Sequence, residues 1–141
     1  MSSVRRQAAD SIHSAAIHLL RRVSREDSKQ AVSPARMSAL SVLVFTGPKT
    51  MSELAVMERV KVPTMSRLVA AMEEEGLVTR RPHEADARSV VLTATAKGKR
   101  VLDHGRELRL SVLEDLLGGA SAREVAVVHE AAKIVDRLVL G

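Results

Sequence analysis

The chain has 141 residues, of which 45% are hydrophobic and 1% aromatic, with 22 Lys and Arg against 17 Asp and Glu. This length fits one domain with an aliphatic core, and the net charge of +5 gives a modest attraction for polyanions. The lack of cysteine excludes disulfides, thiolate catalysis, Cys-based zinc sites and thiol redox sensing, and no apolar run approaches the roughly 20 residues of a membrane span.

The first segment combines several Arg and Ser residues with helical periodicity, so it has features of a transit peptide and of a packing helix. Nothing resembling a cleavage site follows, and we expect a soluble, cytoplasmic protein. A first helix is predicted from about Val4 to Arg25. Its apolar face comprises Ile12, Ala16, Leu19, Leu20 and Val23.

A second helix is predicted to begin at Ser33-Pro34 and to end before Gly47-Pro48. A helix-turn-helix is predicted after it. Thr50 or Ser52 caps a short helix that runs through about Arg59. Lys61-Val62 then forms a tight connector, Pro63 starts another helix, and Gly76 ends it. Two helices joined by so short a turn are typical of a helix-turn-helix.

The second helix of this motif has one core face and one free face. Met65, Leu68, Val69 and Met72 follow core spacing. The outward face is small, hydroxylated and basic, and it comprises Pro63, Thr64, Ser66, Arg67, Ala70 and Ala71. Such a face can enter a DNA major groove, and residues 73–75 keep their carboxylates away from the helix N-terminus, which favours phosphate. The alternative is an ordinary amphipathic helix with a solvated face.

A charged hairpin is predicted next, with strands at Leu77–Thr79 and Ser89–Thr93. Its Arg side chains can enter the narrow minor groove, and they are Arg80, Arg81 and Arg88. Asp86 is placed to orient the Arg88 guanidinium, because a carboxylate can accept two parallel hydrogen bonds from a guanidinium. The alternative is a solvated turn with a weak surface ion pair.

Two further helices are predicted towards the C-terminus. One starts near Thr93 or Thr95 and ends at Gly118-Gly119. Ser121 and Glu124 then match a capping box that begins the last helix. Two apolar stripes run along this helix. Together they form an apolar surface that is too wide for a helix with one side exposed to solvent. We therefore expect part of it to be buried against a partner chain.

The helix-turn-helix segment VPTMSRLVAAMEEEGLVTR and the wing DARSVVLTATAKG resemble the MarR family of bacterial transcription regulators. The family patterns "GLV-x-R", "D-x-R" and "LT-x-x-G" match residues 76–80, residues 86–88 and, with longer spacing to Gly98, Leu92-Thr93. The middle wing position, often Lys or Arg in the family, is Ala87, which removes a possible phosphate contact.

The resemblance implies a triangular homodimer in which the first and the last two helices interlock. It also implies a (pseudo)palindromic operator with half-sites about one helical turn, roughly 10 bp, apart. Many members release DNA when a small, often aromatic or anionic, effector binds. Such a phenolic or anionic effector would lie among Leu, Val, Met and Ala of the first, second and fifth helices, where Arg or His could pair with an anion. The alternative is that these apolar residues are ordinary core residues.

The predicted fold is mainly α with a small β-hairpin wing, in one domain over 1–141. Residues 34–94 form the winged helix-turn-helix, and residues 1–30 and 95–141 form the helical dimerisation region. The chain is predicted to be a homodimeric, sequence-specific regulator of double-stranded DNA that acts as a ligand-responsive repressor. The alternatives are a winged-helix protein-interaction module and a ligand-binding dimer without DNA affinity.

Specific roles are assigned to the polar side chains of this region. Thr64, Ser66 and Arg67, beside Pro63, would read or flank bases, Arg88 would occupy the minor groove, and phosphate contacts would come from Ser52, Arg80 and Arg81. No cofactor, metal or catalytic residue is predicted, because the sequence has no phosphate loop or Ser-His-Asp order and its five histidines form no metal signature. His83, Glu84 and Asp86 are adjacent in a loop and rarely would form a preorganised metal site.

Overall fold

A computed structural model describes residues 2–27 and 32–141 of the chain. Within these residues the order of elements is α1 (Ser2–Asp27), α2 (Pro34–Thr46), β1 (Lys49–Thr50), α3 (Met51–Met57), α4 (Val62–Glu74), β2 (Val78–Pro82), β3 (Val90–Ala94), α5 (Ala96–Leu117) and α6 (Ala122–Leu140). The prediction of a mainly helical chain with a small wing is confirmed. Residues 1 and 28–30 of the predicted dimerisation region lie outside the described residues.

Hydroxyl side chains cap the helices at the predicted ends. The Ser33 Oγ accepts a hydrogen bond from the Arg36 amide, and Pro34 occupies the first turn of α2. At α3 the cap is Thr50 and not Ser52: the Thr50 hydroxyl accepts from the Glu53 amide at 3.1 Å, and the Glu53 carboxylate accepts from the Thr50 amide at 3.3 Å. Ser121 and Glu124 form the same reciprocal arrangement at α6.

The wing is part of a three-stranded antiparallel sheet with the order β1-β3-β2. The third strand, β1, pairs Lys49 with Leu92 and Thr50 with Val91, and it was not predicted. Two residues are too short to show an alternating pattern, so the sequence contains no signal for this strand. It anchors the hairpin to the rest of the domain, because a two-stranded hairpin alone is marginal in water.

The core lies between α2, the helix-turn-helix and the sheet. Its fully buried large side chains come from all of these elements and are Leu40, Leu54, Met65, Val69, Met72, Leu77 and Leu92. This arrangement holds α4 and the wing against the same hydrophobic cluster, which positions them side by side.

Thr95, and not Thr93, begins α5. Thr93 lies within β3, whereas the Thr95 Oγ1 accepts from the Gly98 amide at 3.0 Å and donates to the Gly76 carbonyl at 2.6 Å. Thr95 and Gly98 thus have the T-x-x-G spacing of the family pattern. The match to Leu92-Thr93, which required a longer spacing to Gly98, was therefore wrong. Gly98 is required here because a Cβ would lie 2.3 Å from the Leu77 carbonyl oxygen.

The terminal helices expose most of their apolar residues in the protomer. No residue of α6 is buried, and Leu138 and Val139 are 70% and 76% exposed. α1 packs on α5, yet Ile12, Leu19 and Leu20 on its predicted apolar face are exposed. Exposed apolar surface of this extent is typical of an interaction surface. Within the described ranges, no helix is long and apolar enough to cross a membrane.

Candidate nucleic-acid interface

Helix α4 presents the polar face that its periodicity predicts. Met65, Val69 and Met72 are buried and Leu68 is half-buried, so these residues attach the helix to the core. Pro63, Thr64 and Arg67 are exposed on the outward side. Ala70 is exposed there as well, whereas Ser66 and Ala71 are half-buried at the edges of this face. The outward face is therefore narrow, with small residues that permit close approach of another surface.

The N-terminus of α4 is free of a side-chain cap. Lys61 is the N-cap residue, with extended backbone, and its side chain makes no capping hydrogen bond. The first backbone bond runs from the Met65 amide to the Lys61 carbonyl, which leaves the amides of Val62 and Thr64 free within the helix. Such free amides, at the positive end of the helix dipole, favour an anion such as a phosphate.

The turn of the motif lies earlier than predicted. Val62 belongs to α4, and the turn is formed by residues 58–61, in which Arg59 has a left-handed backbone with φ of 55°. An Arg side chain in this region is uncommon, because its Cβ is crowded there. The turn thus begins after Met57 and ends at Lys61, one residue before the predicted end, and Pro63 is the second helical residue.

Two of the three acidic residues that end α4 form ion pairs. The Glu73 Oε1 lies 2.8 Å from the Nε and 2.6 Å from the Nη2 of Arg80, and Glu75 pairs with Arg36 of α2. The Glu75 carbonyl also accepts from the Lys97 Nζ at 2.7 Å. Sequence reasoning missed these contacts, because it treated the carboxylates only as charges kept away from DNA. One signal was available in the sequence: carboxylates at the C-terminal end of a helix oppose the helix dipole, which indicates that they have cationic partners.

The wing tip is ordered by its own polar groups. The Asp86 Oδ1 accepts from the Arg88 amide at 3.0 Å, and the Oδ2 accepts from the Ser89 hydroxyl at 3.3 Å. The His83 Nδ1 accepts from the Ala85 amide at 3.0 Å. Asp86 therefore shapes the backbone of the turn, and its hydrogen bonds do not include the Arg88 guanidinium that it was predicted to orient.

The three predicted wing arginines lie in different environments. Arg81 and Arg88 are exposed, and neither makes an ion pair in the part of the chain that the structure describes. Arg80 is held by Glu73. Ser52, at the second position of α3, and Arg67 of α4 are also exposed. Most of the predicted contact residues are thus exposed on the helix-turn-helix or the wing, whereas Arg80 is engaged by Glu73.

Two carboxylates near helix starts have perturbed acidity. Hydrogen bonds from Thr50, its side chain first and then its backbone, lower the pKa of Glu53 below its ordinary value. The Ser121 backbone, followed by its side chain, lowers the pKa of Glu124. Both shifts belong to the capping boxes and stabilise helix starts.

One cleft lies where the sheet meets α2 and α5. It has a volume of about 230 Å³ and is lined by Leu43, Val44, Thr93, Ala94, Thr95, Ala96 and Lys99. These residues belong to α2, β3 and α5, whereas the effector site was predicted among the first, second and fifth helices. Phe45, the one aromatic residue of the sequence, is 75% exposed and does not line the cleft. Over the described ranges, no three His, Asp or Glu side chains are grouped so as to hold a metal ion.

Comparisons with known proteins extend the likeness to nearly the whole chain. The profile of the MarR family matches residues 32–90. The HTH-type transcriptional regulator MT0903.1 of Mycobacterium tuberculosis is 30% identical over 131 residues, which are 93% of this chain and 92% of that protein. A MarR family protein from Bacillus stearothermophilus has a TM-score of 0.79 at 23% identity, over 100% of this chain and 99% of that one. A mutant MarR from E. coli complexed with operator DNA has a TM-score of 0.61 at 22% identity, over 90% of this chain and 91% of that one.

Proposed function

The chain belongs to the MarR family and is a DNA-binding transcriptional regulator of the helix-turn-helix type, and on that premise we propose that it acts as a homodimeric repressor. The relative from Mycobacterium tuberculosis is likewise an HTH-type transcriptional regulator.

The DNA contact proposed here rests on one observation: helix α4, which has an uncapped N-terminus and an exposed polar face, packs beside a wing whose Arg81 and Arg88 make no ion pair within the described residues. Thr64, Ser66 and Arg67 read or flank bases in the major groove, with Pro63 allowing close approach. Arg88 enters the minor groove on a turn shaped by Asp86, and Arg81 and Ser52 hold phosphates. The complex of the E. coli MarR mutant with operator DNA supports this use of the fold.

The assembly proposed here is a dimer formed by α1, α5 and α6. Apolar residues of α1 and α6 are exposed in the protomer, and burying them against a second copy removes apolar surface from water. Residues 34–94 then form one DNA-binding unit per protomer, and the remaining helices form the dimerisation region of a single domain. A twofold assembly fits a (pseudo)palindromic operator with half-sites about 10 bp apart.

The effector site proposed here is the cleft between α2, β3 and α5. Its volume of about 230 Å³ lies below that of most ligand pockets, so only a compact molecule would fit, and Lys99 supplies a cation at an otherwise mainly apolar and hydroxylated wall. A small phenolic or carboxylate compound matches this lining. Because α5 belongs to the dimerisation region and β3 to the wing, a ligand there would contact both parts.

Selection of binding sites from random duplexes tests the function. The expected result is an enriched palindrome with half-sites about 10 bp apart, bound with an affinity that falls with salt. Recovery of no common sequence, together with weak binding that moderate salt abolishes, would contradict the proposal. That outcome would favour a winged helix that recognises another polypeptide.

A further inference from the structure

Arg80 has the sequence context of a phosphate-binding residue, but its side chain lies on the inner face of the wing. Successive residues of a strand point to opposite faces, so Arg80 shares a face with Val78 and not with Arg81. Val78 is buried, and Leu92, which pairs with Arg80 across the ladder, is fully buried. Arg80 is therefore directed towards the packed side of the sheet, where α4 lies.

The Arg80 guanidinium meets the Glu73 carboxylate at that position. Both its Nε and its Nη2 contact the Glu73 Oε1, at 2.8 and 2.6 Å, and the two side chains are 35% and 34% exposed. Two nitrogens of the planar guanidinium thus converge on one carboxylate oxygen, which directs the edge of the guanidinium towards Glu73. The pair joins the last turn of α4 to the middle of β2, across the junction between the helix and the wing.

We propose that Glu73 and Arg80 are positioning residues for DNA binding, which set the angle between the recognition helix and the wing. This role rests on the proposed function, and it replaces the phosphate contact predicted for Arg80. Helix α4 and the wing must enter neighbouring grooves of one duplex together. Fixing their relative orientation in the free protein lowers the entropy cost of binding.

Glu73 lies in the last turn of the proposed recognition helix, and a positioning role predicts the opposite effect from that of its charge alone. Removing a carboxylate close to a polyanion ordinarily raises affinity, because repulsion is lost and Arg80 becomes free to contact a phosphate. If Glu73 acts by positioning, its removal lowers affinity instead. Since the pair is partly exposed and screened by solvent, the loss is expected to be about two- to fivefold.

The test uses the full chain and a duplex recovered by the random selection, with fluorescence anisotropy at several salt concentrations. Glu73→Gln is expected to weaken binding by about two- to fivefold. Glu74→Gln is the matched control: it makes the same change of charge one residue later, at an exposed side chain without an ion pair in the described chain. This control should bind as well as the wild type or slightly better.

Arg80 and Arg81 should differ in their salt dependence. Arg80→Gln is expected to lower affinity as much as Glu73→Gln without changing the slope of log affinity against log salt. Arg81→Gln, on the opposite face of β2, is expected to reduce that slope by about one. The double variant Glu73→Gln with Arg80→Gln should be no weaker than either single variant, and exchanging the pair, Glu73→Arg with Arg80→Glu, should recover part of the loss.

A readout without DNA keeps the test independent of binding. Amide hydrogen exchange in residues 78–92 should be faster in Glu73→Gln than in Glu74→Gln, because the wing is less firmly held. Higher affinity of Glu73→Gln, with a slope reduced by about one in Arg80→Gln, would overturn the inference and make Arg80 a phosphate contact. If Arg67→Ala loses affinity while Glu73→Gln does not, only this inference fails. If the wild type prefers no duplex, the proposed function fails with it.

Discussion

Arg67 is the residue on which base recognition by α4 depends most directly, because it is exposed on the outward face and has a guanidinium without an ion-pair partner in the described chain. Arg67→Ala is expected to cost about 1 to 3 kcal/mol of binding free energy and to relax the sequence preference. Arg123→Ala, an exposed arginine at the start of α6, is the control and should bind normally. An Arg67→Ala variant with unchanged affinity and preference for the selected duplex would contradict the assigned role.

The acidity of Glu53 reports the capping box of α3. Thr50→Ala removes the main cause of its lowered pKa and should return the value towards that of an ordinary glutamate. Because the folded-state pKa lies below the unfolded one, this carboxylate stabilises the fold above the ordinary pKa, and the contribution is lost as pH falls through the folded value. An NMR titration measures this, with Glu124 as an internal control that should not move. A Glu53 pKa that stays as low in Thr50→Ala as in the wild type would show that Thr50 is not the cause.

At the residue scale, the sequence predicts exposure better than it predicts partners. The spacing of Met65, Val69 and Met72 identifies the core face of α4, because a helix repeats every 3.6 residues and each position follows from the last. The ion pairs of Glu73 and Glu75 join residues 7 and 39 positions apart. No local periodicity links such residues, so only the packing of α4 against β2 and α2 reveals their pairing.

At the level of elements, α5 packs closely against the segment between α4 and β2 through Gly98. In Gly98→Ala the new Cβ would lie 2.3 Å from the Leu77 carbonyl oxygen and 3.0 Å from the Leu40 side chain. The backbone must shift, so we expect a loss of about 1 to 3 kcal/mol in the free energy of unfolding, measured by urea denaturation. Gly119→Ala is the control, since its Cβ would lie 3.7 Å from the Leu116 carbonyl oxygen. Equal stability of the two variants would contradict this account of α5.

Helix ends are the elements that sequence reasoning located best, because a cap such as Ser33 or Ser121 is a local chemical feature. Strand ends were located less well: the first wing strand runs to Pro82 and not only to Thr79, and the second ends at Ala94. The limits of a strand depend on its partner across the ladder. β1 exists only because β3 lies beside it, which explains why it was missed.

At the scale of the whole molecule, the exposed apolar residues of α6 distinguish a dimer from a monomer. Val139→Glu is expected to weaken self-association, because a carboxylate in an apolar interface is costly to desolvate. Val56→Glu on α3 is the matched control, since both valines are 76% exposed in the protomer. Sedimentation should give a dimer for the wild type and Val56→Glu, and a larger monomer fraction for Val139→Glu. A wild-type monomer at micromolar concentration would contradict the proposed assembly.

In the proposed complex, two copies of the chain place α4 and the wing against one duplex. Hydrogen-exchange mapping of the protein with and without the selected duplex, together with a binding titration, measures this arrangement. The expected result is new protection at residues 62–67 and at the wing, residues 80–89, with one duplex bound per two chains. Protection confined to other surfaces, or binding of one chain per duplex, would contradict the account.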